Sequence, residues 1–123
     1  MVKNARKKVL IINNEPERNN LGPLSRLQKA LSEAASVQML VRHFRDISLK
    51  TLADFEPEYI ILSGRESTYW DPREMDFFAE EHRIVRETKL PVLGICLGHQ
   101  MIAAAYGVGL IPLKGEKVEE GYT

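Results

Sequence analysis

The chain has 123 residues, of which 44% are hydrophobic and 28% charged, and this composition suits one globular domain over residues 1–123. Its 17 basic residues balance 17 acidic ones, so the charge indicates neither a nucleic acid nor an anionic membrane as partner. A single cysteine excludes an internal disulfide, and no apolar run approaches the roughly 20 residues that span a bilayer. We therefore expect a cytoplasmic protein that keeps its thiol reduced.

Apolar runs typical of buried strands alternate with helical patterns along the chain. Strands are predicted over residues 8–12, 37–41, 59–62 and 90–95, with a further one beginning over 108–113. Between them, the apolar spacing predicts helices from residue 21 to about 34, over 47–55, from about 72 to 88, and over 97–106. This alternation predicts an α/β three-layer sandwich with a mainly parallel sheet.

Ligands of such sheets bind beyond the carboxyl ends of the strands. Three loops leave those ends: residues 13–15, residues 63–66, and the turn at the only cysteine, Cys96. We expect these three loops to converge on one site.

The segment Pro91 to Gln100 is the most informative part of the chain. A short apolar run enters Gly-x-Cys-x-Gly, and a helical pattern follows at once. Gly94 and Gly98 lie two residues before and after Cys96, where small residues keep a strand and a helix from clashing around a sharp elbow. A thiol at a helix N-terminus is favoured as the thiolate. A lone cysteine taken by itself is more often a small buried hydrophobe, but the elbow spacing favours a nucleophile.

A cysteine nucleophile needs an oxyanion hole. The backbone N–H of Leu97, at the start of the predicted helix, is one expected donor. The second is expected from a neighbouring loop, and Gly64 is the natural choice because glycine lets the backbone approach a ligand closely.

Pro91 to Gln100 resembles the nucleophile segment of the class I, or triad, glutamine amidotransferases, whose glutaminase domains release ammonia from glutamine for a synthase. The likeness continues through residues 101–107, and residues 60–64 are similar to the oxyanion strand and loop of that family. It covers most of the chain but only the N-terminal part of a complete domain. The resemblance implies a flavodoxin-like sheet truncated at the C-terminus, L-glutamine as substrate, and no cofactor or metal.

By the same resemblance, Cys96 is expected to form a γ-glutamyl thioester while the Gly64 and Leu97 amides hold the oxyanion. Gln100 is expected to help hold the glutamine substrate. His99 is expected to be a packing or helix hydrogen-bonding residue rather than the catalytic base. A synthase subunit or fused domain is expected to accept the ammonia, and the identity of that acceptor stays open.

The loop after the third strand departs from the family pattern. The segment Ser63 to Ser67 reads Ser-Gly-Arg-Glu-Ser where the family usually has Ser-Gly-Gly-Pro. Arg65 is expected to be solvated, or else to meet a carboxylate of the substrate or of Glu66. The following helix start, with Glu74 among its charged residues, is also expected to be solvated.

A second departure concerns the base, which the family carries in a downstream His-x-Glu element that the 123 residues do not contain. His43 and His82 are expected to be structural or exposed, so the chain alone is expected to be inactive. Two alternatives stay open: a non-catalytic amidotransferase-like binding module, and a γ-glutamyl peptidase type of cysteine hydrolase. A sheet ended early would leave an open edge, which predicts self-association.

Overall fold

The computed structural model describes residues 6–65 and 72–107. In this part of the chain, four strands alternate with helices: β1 (Lys7–Asn13), α1 (Gly22–Ala34), β2 (Val37–His43), α2 (Leu49–Phe55), β3 (Tyr59–Leu62), α3 (Ala79–Glu87), β4 (Val92–Gly94) and α4 (Leu97–Ala105). A 3₁₀ helix over Pro72–Phe78 leads into α3. The strand predicted over residues 108–113 lies outside the described residues.

The strands form one parallel sheet in the order β2-β1-β3-β4. Strand β2 lies on one side of β1, whereas β3 and β4 lie on the other side. The direction in which strands are added therefore reverses between β1 and β3. This is the flavodoxin-like arrangement, in which loops at the reversal point form a crevice. The predicted α/β fold is therefore confirmed for the described residues.

Strand β1 is buried on both faces because its side chains alternate between two cores. Leu10 and Ile12 belong to the larger core, together with buried residues of β3, α3 and α4. Val9 and Ile11 belong to the second core, which Leu24 of α1 closes from the opposite side. Helices thus cover both faces of the sheet. Because both faces of β1 are buried, its sequence is a continuous apolar run.

Two helix boundaries differ from the predictions for local reasons. Helix α2 begins at Leu49 rather than residue 47 because Ser48 caps it: the Ser48 side chain accepts a hydrogen bond from the Lys50 N–H at 3.2 Å. The helix predicted over 72–88 is divided, with the 3₁₀ segment ending at Phe78. The Phe78 ring is fully buried at this joint and stacks on Phe44 with 4.0 Å between ring centroids.

No helix in residues 6–65 and 72–107 is long and apolar enough to cross a membrane. The same residues contain no group of three or more histidine, cysteine, aspartate or glutamate side chains that could hold a metal ion.

Candidate functional site

Cys96 lies at the sharp turn between β4 and α4. It is the N-cap residue of α4, with φ 52° and ψ −111°, a backbone conformation that a residue with a side chain rarely adopts. The helix begins at once, because the Cys96 carbonyl accepts from the His99 N–H at 2.8 Å and from the Gln100 N–H at 3.2 Å. The cysteine is free and exposed. The local backbone therefore holds the residue outward at a helix N-terminus.

The two flanking glycines have no room for a side chain. A Cβ atom on Gly98 would overlap the Leu62 carbonyl oxygen and lie 2.7 Å from the Leu62 carbonyl carbon. A Cβ on Gly94 would lie 2.7 Å from the Gly98 carbonyl group and from the His99 Cα. Strand β3, strand β4 and helix α4 thus meet at backbone contact distance.

Gly64 lies directly beside the elbow. A Cβ atom added to it would be 2.9 Å from the Ile95 carbonyl oxygen and 3.0 Å from the Cys96 Cβ. Neither the Gly64 N–H nor the Leu97 N–H donates a hydrogen bond to any other described residue. Two backbone N–H groups without a hydrogen-bond acceptor among the described residues therefore lie next to Cys96. One belongs to Leu97, the next residue in the sequence, and the other to Gly64, which is a neighbour in space.

A cavity of about 210 Å³ opens at this point. Its lining combines the three carboxyl-end loops with one side of α1: Glu15, Pro23, Leu24, Arg26, Leu27, Ser63, Gly64, Arg65, Ile95 and Cys96. The predicted convergence of the loops is confirmed, because the register places Ile12 beside Leu62 and Leu62 beside Gly94. Of the other predicted site residues, Leu97 is buried and Gln100 is half-buried on α4, and neither lines this cavity.

Asn14 ties the loop after β1 to the loop after β3. Its backbone N–H donates to the Ser63 Oγ at 3.0 Å, and its side-chain Nδ2 donates to the Ser63 carbonyl at 2.9 Å. Asn14 is fully buried and Ser63 is 4% exposed, so these bonds are shielded from water. The position of Gly64, the next residue, therefore depends on Asn14.

A buried carboxyl group lies beneath this loop. Glu81 of α3 is fully buried, and its Oε2 accepts from the Asn14 Nδ2 at 3.3 Å. Burial raises the pKa of the Glu81 carboxyl to about 8, although the Asn14 hydrogen bond and the charge of Arg65 act in the opposite direction. The carboxyl is therefore mostly protonated at neutral pH.

Glu81 was not predicted as a site residue, although its spacing carried a signal. It lies three residues after Phe78 and four before Val85, on the apolar side of the helix, where an acidic residue is unusual.

The expectation that Arg65 is solvated is wrong. Its side chain is 3% exposed, and its two terminal nitrogens donate to both carboxylate oxygens of Glu74 at 2.9 and 3.3 Å. The Glu74 side chain is only 16% exposed, so the solvated helix start was also wrong at this position. The carboxylate that Arg65 meets is supplied by the 3₁₀ helix, a partner that the sequence did not suggest.

The histidines lie away from the cavity. The buried His43 ring donates from Nε2 to the Glu15 carbonyl at 2.6 Å, and burial lowers its pKa. The His82 ring nitrogen Nε2 lies 3.4 Å from the Met101 sulfur, and burial likewise lowers its pKa. Both are therefore structural, which is one of the two alternatives predicted for them, and His99 is exposed on α4. None of the three lines the cavity beside Cys96.

A free cysteine at a strand-to-helix elbow, beside the crevice of a flavodoxin-like sheet, occupies the kind of position that nucleophiles take in elbow enzymes. The family model of the class-I glutamine amidotransferases matches residues 24–122, and the chain belongs to that family.

Individual relatives divide into two kinds of synthase component. The chain is 37% identical to the glutamine-hydrolyzing GMP synthase subunit of Methanosarcina acetivorans over 100 residues, which is 81% of this chain and 46% of the relative. It is 30% identical to the corresponding GMP synthase subunit of Methanobrevibacter smithii over 99 residues, 80% of this chain and 45% of the relative. Its identity to the carbamoyl phosphate synthase small chain of Buchnera aphidicola is 35% over 65 residues, 53% of this chain and 16% of the relative. The chain thus spans less than half the length of each.

Proposed function

We propose that the chain is part of a glutaminase domain in which Cys96 is the nucleophile that acts on the side-chain amide of L-glutamine. The observation that carries this proposal is the positive φ of Cys96, which holds the free cysteine at the wall of the cavity beside Gly64. Such strain persists only where the surrounding structure imposes it, and it is concentrated at functional sites.

The proposed reaction has two halves. The Cys96 sulfur attacks the amide carbon, and the carbonyl electron pair moves onto oxygen, where the N–H groups of Leu97 and Gly64 stabilise the oxyanion. The oxyanion then re-forms the carbonyl, the C–N bond breaks, and the nitrogen takes a proton and leaves as ammonia. Water hydrolyses the γ-glutamyl thioester to glutamate and regenerates the thiol. Gln100 is proposed to help hold the substrate.

Proton transfer requires a general acid and base. The three histidines are engaged elsewhere or lie off the cavity, and residues 1–123 contain no His-x-Glu element. We propose that such an element of the whole protein supplies the base and its orienting acid. Residues 1–123 then make up part of one domain.

The relatives that match about four fifths of this chain are GMP synthase subunits described as glutamine-hydrolyzing. A synthase that consumes ammonia is therefore the proposed partner. Carbamoyl phosphate synthase is the second possibility, because its small chains match about half of this chain.

One observation favours a second candidate function, a binding module that recognises an amide without turnover. None of the residues lining the cavity is a histidine, and the cavity wall carries Glu15 and Arg26 instead. This candidate shares the pocket and the thiol with the first but releases no ammonia.

The test is labelling of Cys96 by a γ-glutamyl chloroketone, followed by mass mapping of the modified peptide. We expect stoichiometric modification of Cys96 that free glutamine blocks, and no modification in Cys96→Ser. Modification that glutamine does not slow, at a rate no higher than a simple alkylating agent gives, would contradict a glutamine pocket. Ammonia release by the full-length protein then separates the enzyme from the binding module.

A further inference from the structure

We propose that Arg65 is a positioning residue of the oxyanion hole, which fixes the Gly64 N–H toward the oxyanion by clamping the loop on both sides. The inference rests on the proposed function, since it assumes that Gly64 donates to an oxyanion at Cys96. The new element is the role of Arg65, which stands where the family segment usually has a second glycine. We infer that its buried guanidinium sets the conformation of this loop.

The first support is that both neighbours of Gly64 are bonded to the same residue. On one side, Ser63 accepts two hydrogen bonds from Asn14, one from its backbone N–H and one from its side chain. On the other side, the Arg65 Nε donates to the Asn14 carbonyl at 2.8 Å. The Gly64 peptide is therefore held between two attachments to the end of β1, and rotation of the loop has to break one of them.

The second support is the geometry of the guanidinium. Its Nε points to Asn14 while its two terminal nitrogens face the Glu74 carboxylate in a bidentate pair. This uses the planar fork of arginine on two sides at once, which the single ammonium of lysine cannot reproduce. The loop after β3 is thereby linked to β1 and to the 3₁₀ helix together.

The third support is the setting of the charge. The Arg65 side chain is 3% exposed, and its Cζ lies 5.9 Å from the Phe44 ring centroid and 6.0 Å from that of Phe78. These two rings are stacked on each other and fully buried, so they form a rigid platform under the guanidinium. A buried charge that is paired and packed in this way holds one geometry, because any other would leave it without partners.

The experiment compares two reagents at Cys96. The sulfur first adds to the ketone carbon of a γ-glutamyl chloroketone, which moves the carbonyl electron pair onto an oxyanion. The sulfur then displaces chloride from the neighbouring carbon, and the carbonyl re-forms as the first C–S bond breaks. Iodoacetamide alkylates by direct displacement of iodide and needs no oxyanion hole. For Arg65→Lys we expect the maximal rate of chloroketone inactivation to fall at least about tenfold, since loss of one oxyanion donor costs about 10²–10³ in rate. The iodoacetamide rate and the half-saturating chloroketone concentration should change less than about twofold, because a residue that acts only on the transition state does not alter binding of the ground state.

Arg18→Lys is the matched control. Arg18 makes a similar two-pronged pair with Asp46, at 2.8 and 2.9 Å, but this pair is exposed and lies off the cavity lining. That variant should leave both rates unchanged. If Arg65→Lys does not fold, Glu74→Gln weakens the pair that orients the guanidinium while Arg65 itself stays in place. For that variant we expect the chloroketone rate to fall relative to the iodoacetamide rate, in the same direction and by a smaller factor.

Three outcomes would overturn the proposal. The ratio of chloroketone to iodoacetamide rates could stay unchanged in a folded variant, or both rates could fall together. Alternatively, the half-saturating concentration could rise while the maximal rate holds, and Arg65 would then be a substrate ligand. A wild-type protein that glutamine does not protect from the chloroketone contradicts the proposed function itself, and so the two failures are distinct.

Discussion

The elbow at Cys96 and the loop at Gly64 form the same edge of the cavity, but different forces hold them. The elbow is fixed by backbone packing, since Gly94 and Gly98 bring β3, β4 and α4 to contact distance. The loop is fixed by buried polar side chains, chiefly Asn14 and Arg65. One half of the proposed oxyanion hole therefore depends on the absence of side chains, and the other depends on their hydrogen bonds.

This difference predicts different sensitivities. Backbone packing contains no titrating group. The stability of the elbow should therefore change when side-chain volume is added and should not depend on pH. The loop rests on a network that includes the buried carboxyl of Glu81 and the charge of Arg65, so it should respond to pH and to loss of a donor.

The largest effect is expected for Gly98→Ala. The new Cβ would overlap the Leu62 carbonyl oxygen, and that oxygen already accepts from the Ile95 N–H at 2.9 Å. Because the obstructing atoms are backbone, the strand or the helix has to move. We expect a loss of about 3 kcal/mol or more of unfolding free energy, at the upper end for overpacking, measured by urea denaturation.

Gly22→Ala is the control for the same chemical change. Gly22 opens α1, and the nearest atom to its added Cβ is Asn20 Oδ1 at 3.8 Å. Because Gly22 is the first residue of the helix and precedes Pro23, helix propensity and the restriction before proline act in opposite directions, and we expect a change within about 1 kcal/mol. Equal losses at both positions would mean that contact at the elbow is not what requires glycine.

The contrast between the two regions also explains what the sequence could reveal. The elbow is encoded within five consecutive residues, and β3 is predicted with the bounds that it has in the structure, because both depend on local spacing. The network under Gly64 joins residues far apart in the chain: Asn14 lies 49 positions from Ser63 and 67 from Glu81. Contacts between residues so far apart produce no periodic pattern in the sequence, so they could not be predicted from it.

Arg65 illustrates the same limit at shorter range. Its partner Glu74 is only nine positions away, but the 3₁₀ segment that presents Glu74 was predicted as ordinary helix with a solvated start. Whether a charged side chain is buried depends on whether the fold offers it a partner and a platform. Here the stacked rings of Phe44 and Phe78 supply the platform, and they come from separate parts of the chain.

The second prediction tests the loop side through Glu81→Gln. Burial raises the pKa of Glu81 from its ordinary 4.5 to about 8, so between these pH values the folded state holds a proton that the unfolded state has lost. Stability of the unsubstituted protein should therefore fall as pH rises through this window, by up to about 1.4 kcal/mol per pH unit, and level off above it. Glutamine does not titrate and can still accept from Asn14.

We accordingly expect Glu81→Gln to match the parent protein near pH 4.5 and to exceed it by about 3 kcal/mol near pH 7. Urea denaturation at several pH values between 4.5 and 8 measures the difference. Glu80→Gln removes the neighbouring, more accessible carboxyl and should leave the slope in place. A slope that persists in Glu81→Gln would show that another group causes it.

The smallest effect, and the most direct measure of strain at the elbow, is expected for Cys96→Gly compared with Cys96→Ala. At φ 52° and ψ −111°, any residue with a Cβ atom has a conformational strain energy. Alanine therefore keeps the strain of the cysteine, whereas glycine adopts this conformation without it. Strain of about 1–3 kcal/mol, less the entropy that glycine costs, leaves the glycine variant about 1 kcal/mol more stable than the alanine variant. At Ala104, in the last turn of α4, the same change from alanine to glycine should instead destabilise, by up to about 1 kcal/mol. Opposite signs at the two positions, measured by urea denaturation, would establish that the elbow holds Cys96 against its own conformational preference. The same sign at both would mean that Cys96 carries no stored strain, and the backbone argument for a nucleophile would then lose its basis.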